Sequence, residues 1–338
     1  MKYILLFLSI FFVLLVFGQG NGYVFVLSKG DNLMVAFDYK TLDSVATVPI
    51  SEDPHEIVID RKELLAYISH PLLMGTGHKI SVINLKTLAL IKTIDTKPFY
   101  TPHGLFYQDD KLWVTAQGAK SVVLYDTKEG EVEQVFGTGQ DFTHLIYVAT
   151  DGNRFYTTNV ESGTISIYEE KEIPPYMPPT NVLPPNAKPR LEWRQTLVDV
   201  GSGAEGFDVS PDGKELWTAR PDGYIVVVDL DKKEVMTKIN TNIPGLHRLK
   251  ITPDGKTVCI VSVKTGDLLY YNRQARQLEQ KDNIGKGAGI YMDKDLNRMF
   301  ISCTPNNYVI VIDLNTRKII KKISVARPDA VTSLYVSK

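Results

Sequence analysis

A short apolar run that closes on an acidic or amide residue recurs along the chain: MVAFD ending at Asp38, ISVIN at Asn84, VVLYD at Asp126, ISIYE at Glu169, IVVVD at Asp229, LLYYN at Asn272 and VIVID at Asp313. Successive ends lie 46, 42, 43, 60, 43 and 41 residues apart. Each run stands in the same neighbourhood. Before it comes a second apolar stretch, such as LWTAR (Leu216 to Arg220) or LWVTA (Leu112 to Ala116). Before that lies a turn, such as Pro211-Asp212-Gly213 or Pro253-Asp254-Gly255, and before the turn EGFDVS or HRLKIT. After the run come a charged turn, Asp231-Lys232-Lys233 in one copy, and a fourth stretch, EVMTKI. All four stretches are short, rich in β-branched and aromatic residues and bounded by Gly, Pro, Asp and Asn, which predicts strands. Helical periodicity is absent beyond the first twenty residues. Four strands in each repeat of this length make one propeller blade. The pattern predicts an all-β, seven-bladed β-propeller with four antiparallel strands per blade.

The long interval and the chain ends complete this picture. Between Glu170 and Leu191 lie Pro174, Pro175, Pro178, Pro179, Pro184, Pro185 and Pro189. Proline donates no ladder bond and favours an extended polyproline conformation. Residues 171–190 therefore read as a stiff loop inserted between the third and fourth strands of one blade. Tyr23 to Leu27 matches a second strand of the repeat, and TSLYVS (Thr332 to Ser337) matches a first strand. Residues 23–50 and 332–337 are expected to share one blade, a 3+1 closure that leaves the ring without an open edge.

The segment EGFDVSPDGKELWTARPDGYIVVVDLDKKEV resembles the YVTN-type β-propeller repeat. The resemblance spans residues 23–338 and is strongest from Glu205 to Ile260. It implies an exported seven-bladed propeller, distantly similar to lactonase-like propellers. Such propellers are functionally mixed, so the resemblance supports a fold and not a reaction.

Composition narrows the setting. Met1-Lys2 precedes fifteen almost wholly apolar residues, Tyr3 to Phe17, and Gly18-Gln19-Gly20 offers a cleavage site. This reads as a signal peptide over residues 1–20, with a secreted or periplasmic propeller domain over 21–338 and no membrane span after cleavage. With 38 basic against 39 acidic side chains, no electrostatic footprint for nucleic acid exists. A monomer is expected. Cys259 and Cys303 fall on second strands of neighbouring blades with opposite parity, which predicts free thiols facing opposite sides. Gly201 to Gly206 fits GxGxxG but leads into a strand rather than a helix, so the dinucleotide reading fails. The Gly255-Lys256-Thr257 and Asp293-Lys294-Asp295 stretches lack the remaining residues of a phosphate loop and a calcium loop.

The histidines are ordered. His55, His103, His144 and His247 occupy one slot, at the start of the first strand of blades two, three, four and six. Glu205 fills that slot in blade five and Ala288 in blade seven. First strands line the central tunnel, so the slot rings its mouth. His70 and His78 lie in a loop on the same face, and the proline-rich insert lies on the opposite one. A structural reading is that each slot imidazole bonds the neighbouring blade's backbone. The functional reading gathers His55, His103, His144, Glu205, His247 and Arg248 into a ligand-binding cluster. Within it, His55, His103, His144 and His247 are candidate ligands for zinc, copper or iron, divalent transition metals that accept imidazole. Two functions follow. One is an exported platform that presents the tunnel mouth to a small ligand, a metal or a protein partner. The other is an enzyme with its site at the same place: a metal-dependent or lactonase-like hydrolase, or a metal-centred redox protein.

Overall fold

The computed structural model describes residues 22–72 and 76–335. The signal-peptide reading falls on residues outside that description. Seven four-stranded antiparallel sheets follow one another in chain order, and the first strands of consecutive blades touch around a closed ring. Among the described residues the only helical turns are 3-10 turns at Gln117–Ala119 and Thr304–Asn306, and no helix is long and apolar enough to cross a membrane.

The residue that ends each apolar run has a local task. Asp38 Oδ1 accepts the N–H groups of Lys40 and Thr41 at 2.9 and 2.8 Å. Asn84, Asp126 and Asp229 do the same for the residues two and three positions on. A short side-chain acceptor thus closes the turn into the fourth strand. Glu169 is the exception. There the strand runs on to Ile173, and its partner begins at Arg190. The insert is therefore shorter at both ends than residues 171–190, because its flanks are paired strand. Glu169 instead bonds Lys233 of blade five and Lys171.

Inner strands are packed on both faces. In blade five, Glu215–Ala219 and Tyr224–Asp229 are buried except at their ends, whereas the outer strand Glu234–Asn240 alternates with solvent. The apolar residues collect into seven cores, one at each seam between blades. Cys259 and Cys303 are free and buried in the same core, between blades six and seven. The opposite parity holds: Cys259 faces blade seven and Cys303 faces blade six, so the opposite faces of these adjacent blades meet in one seam. Burial raises the two thiols to about 12 and about 11.

Closure is by strand pairing. Pro328–Tyr335 pairs with Gly22–Ser28, with Phe25 opposite Thr332 and Tyr23 opposite Leu334. This strand starts four residues earlier than Thr332, which brings Asp329 into the first-strand slot of blade one. A polar clip reinforces the seam with blade seven. Tyr39 donates to Asp293 at 2.5 Å, and Arg298 holds the other Asp293 oxygen with two bonds of 3.0 and 2.8 Å.

Candidate ligand site at the tunnel mouth

A repeated β-bulge builds the mouth. In blade three, Pro102 pairs with Ala116 and Leu105 with Val114, so His103 and Gly104 together face Thr115. His144 and Leu145 face Thr158 in blade four, His247 and Arg248 face Val261 in blade six, and Asp329 and Ala330 face Leu27 in blade one. In blade two, His55 N–H bonds the Ser69 carbonyl and Ser69 N–H bonds the Glu56 carbonyl, which is the same two-against-one arrangement. A bulge breaks the period of two and re-aims the side chains on it. It brings Glu56 and Arg248 to the mouth beside the slot residues.

The slot backbone has a structural duty. Ser69 Oγ donates to the His103 carbonyl at 2.7 Å, and Thr115 Oγ1 to the His144 carbonyl at 2.6 Å. Gly206 N–H donates to the His247 carbonyl at 3.1 Å, and Ala330 N–H to the His55 carbonyl at 3.3 Å. The blades approach so closely that a Cβ on Gly104 or Gly206 would lie 2.4 Å from the His144 or His247 carbonyl oxygen. Any residue has a carbonyl, so this seam bond does not call for histidine. Only one slot imidazole bonds neighbouring backbone, His247 Nδ1 to the Ala288 carbonyl at 3.0 Å.

The other rings line the wall. His103 lies between His55 and His144, with ring centroids 4.6 and 3.9 Å away. It is fully buried, and neither ring nitrogen has a hydrogen-bond partner among the described residues. Burial, aided by His144 and His55, holds His103 well below the usual histidine range. His144 Nδ1 receives the Gln117 amide at 2.6 Å, and its Nε2 donates to Glu205 Oε1 at 2.9 Å, the pattern of a neutral imidazole. Burial lowers its pKa as well. The other Glu205 oxygen lies 3.1 Å from His247 Nε2. Both His247 nitrogens thus face acceptors. Burial alone would raise Glu205, but His247 and His144 outweigh it and hold the carboxyl well below its usual range.

Beside this arc, Lys29 reaches His55 Nδ1 at 2.7 Å and pairs with Asp53 and Asp329 at 3.0 and 3.2 Å. Arg248 of blade six crosses to Glu56, just before the first strand of blade two, at 2.9 Å. Its Nε is buried without a hydrogen-bond partner among the described residues, and Glu205 Oε1 lies 3.9 Å from it. This pair stands over a tunnel cavity of about 270 Å³ walled by Val58, Phe106, Leu145, Tyr147 and Tyr291.

All the slot residues singled out from sequence therefore reach the mouth, together with Arg248. As for metal, the rings follow one another along the wall edge-to-face and tilted, and among the described residues no three His, Cys, Asp or Glu side chains are placed to hold one ion. His70 and His78 stay outside the ring. His70 bonds the Glu52 carbonyl and Ser81, and His78 bonds Asp95. Glu56, Asp329, Asp53 and Lys29 were not among the sequence candidates. Pro328-Asp329 aligns with Pro54-His55 and Pro102-His103, a signal that would have found Asp329. Lys29 and Asp53 lie on loops with no comparable mark.

No protein-family model matches the chain, and no curated protein sequence does either. Solved structures do. A candidate 6-phosphogluconolactonase from Bacteroides uniformis aligns over 93% of this chain and 100% of its own, with TM-score 0.70 and 14% identity. A protein of unknown function from Desulfotomaculum acetoxidans aligns over 93% and 99%, with TM-score 0.71 and 10% identity. The dihydro-heme d1 dehydrogenase NirN, in complex with DHE, aligns over 93% and 75%, with TM-score 0.61 and 14% identity. At such identities the likeness establishes the fold alone: this chain is a seven-bladed β-propeller.

Proposed function

We propose that the chain is an exported binding platform that holds a small organic molecule in its central tunnel and recognises it at the charged mouth. One observation carries this reading: a built ion pair, Arg248–Glu56, bridges two walls of an aromatic-lined cavity of about 270 Å³. Ligand sites are concave, mostly apolar and furnished with a few placed polar groups. The apolar opening segment and the resemblance to YVTN-type propellers support export. Hydrolysis by a histidine base at the same mouth would need an imidazole nitrogen both open to the cavity and free to take a proton. His144 and His247 have both nitrogens engaged, His55 faces Lys29, and His103 is sealed. Binding is thus the better-supported class.

The test is a thermal-shift screen of small polar organic compounds on the processed protein and on Ala330→Trp, which fills the cavity. Compounds that raise the melting temperature of the wild type are expected to leave the filled variant unmoved. Hits that act equally on both would place the site elsewhere, and hits that are chemically turned over would restore the enzyme reading.

A further inference from the structure

We propose that the ligand of this tunnel is a zwitterion of the α-amino-acid class with an apolar side chain, its carboxylate meeting Arg248, its ammonium meeting Glu56 and its side chain lying on Phe106, Tyr147 and Tyr291. The proposal rests on the tunnel being the binding site.

The argument begins with what the ion pair forbids. Arg248 and Glu56 are largely withdrawn from water, with 14% and 22% of their side chains exposed, and they neutralise one another at 2.9 Å. A ligand carrying only an anionic group would draw Arg248 to itself and strand the Glu56 carboxylate. One carrying only a cationic group would strand the guanidinium. Leaving a buried charge without its partner is costly. A ligand with both charges exchanges one ion pair for two and strands neither.

The surroundings agree. Lys29 and Arg248 stand near Asp53, Glu56, Glu205 and Asp329, with the His247 ring beside Glu205. Charges of both signs thus meet at the mouth, and a ligand that carries both finds a partner for each. Farther along the wall, Lys250 and Asp208 pair at 3.2 Å, and Asp208 also takes the Ile251 N–H, so these charges are partnered. What remains between the two pairs is aromatic wall. A cavity of about 270 Å³ lies just below the roughly 300–1,000 Å³ typical of drug-sized ligands, and it suits a molecule of amino-acid size.

Titration calorimetry on the processed full chain tests the assignment with three probes of one shape: L-phenylalanine, 3-phenylpropionate and 2-phenylethylamine. Phenylalanine is expected to bind at least about tenfold tighter than either singly charged probe. Glu56→Gln, which removes the stranded charge, is expected to shift preference toward phenylpropionate, and Ala330→Trp to abolish all binding. The wild-type comparison needs no variant, so a misfolded Glu56→Gln protein leaves it intact. A singly charged probe that binds wild type as tightly as phenylalanine, and is lost in Ala330→Trp, overturns the zwitterion while the tunnel site stands. Binding that survives Ala330→Trp overturns the tunnel site itself. No binding of phenylalanine at millimolar concentration overturns the zwitterion assignment.

Discussion

Thr115 donates its hydroxyl to the main-chain carbonyl of His144 across the seam between blades three and four, at 2.6 Å, and the same oxygen receives the Gly104 N–H at 2.8 Å. Ser69 and His103 repeat the donor bond one blade earlier. The seam is therefore held by hydroxyl and carbonyl, and the imidazole that sprouts from the same residue is left for other work.

Thr115→Val keeps the shape and removes both bonds, leaving a buried N–H and a buried carbonyl unpaired. The expected loss is about 2–4 kcal/mol in urea unfolding. A loss under about 0.5 kcal/mol would mean that the seam bond has a substitute.

His103→Leu is expected to have the opposite sign. Both ring nitrogens of His103 are buried without partners, so an apolar side chain of similar size removes an unsatisfied polar group. Stability should hold or rise by about 1 kcal/mol. A fall of more than about 2 kcal/mol would show that the imidazole has a partner after all.

Acid should unfold the ring through buried imidazoles. Burial lowers His70 to about 4, and it lowers His103 and His144 as well. In the unfolded chain these groups take up protons near pH 6.5. The folded state binds fewer protons, so stability is present above pH 6.5 and is lost as pH falls toward the folded values. Each histidine contributes a slope of up to about 1.4 kcal/mol per pH unit. Urea unfolding between pH 4.5 and 7 should show this fall, and His70→Asn should make it shallower. A flat profile would refute the buried neutral state.

Replacing residues 174–189 by a two-residue Asn-Gly turn between Ile173 and Arg190 should lower the melting temperature by less than about 3 °C, since every blade strand survives. Removing residues 328–335 takes the first strand from blade one and withdraws Val331 and Leu334 from two seams. That deletion should cost at least about 10 °C. Equal losses would contradict the assignment of the insert to a loop.

The blade count was legible because its signals are local. Asp38, Asn84, Asp126 and Asp229 close turns with their own side chains two and three residues on, so the same letters recur wherever the same turn recurs. The slot was legible for the same reason, as a position repeated in each blade. Asp329 escaped because the last strand was read from Thr332, four residues too late.

By itself, then, the sequence determined seven repeats of four strands, the insert, the closing blade and the slot in which His55, His103, His144, Glu205 and His247 stand. Only the tertiary structure decided what those residues meet. Periodicity describes neighbours along a strand, whereas Arg248 and Glu56 are 192 residues apart and meet because a closed ring carries their blades to opposite sides of one tunnel. The bulges that turn them inward break the period of two on which strand reading depends. A histidine's role follows from what faces its two nitrogens, and at this mouth those partners come from other blades.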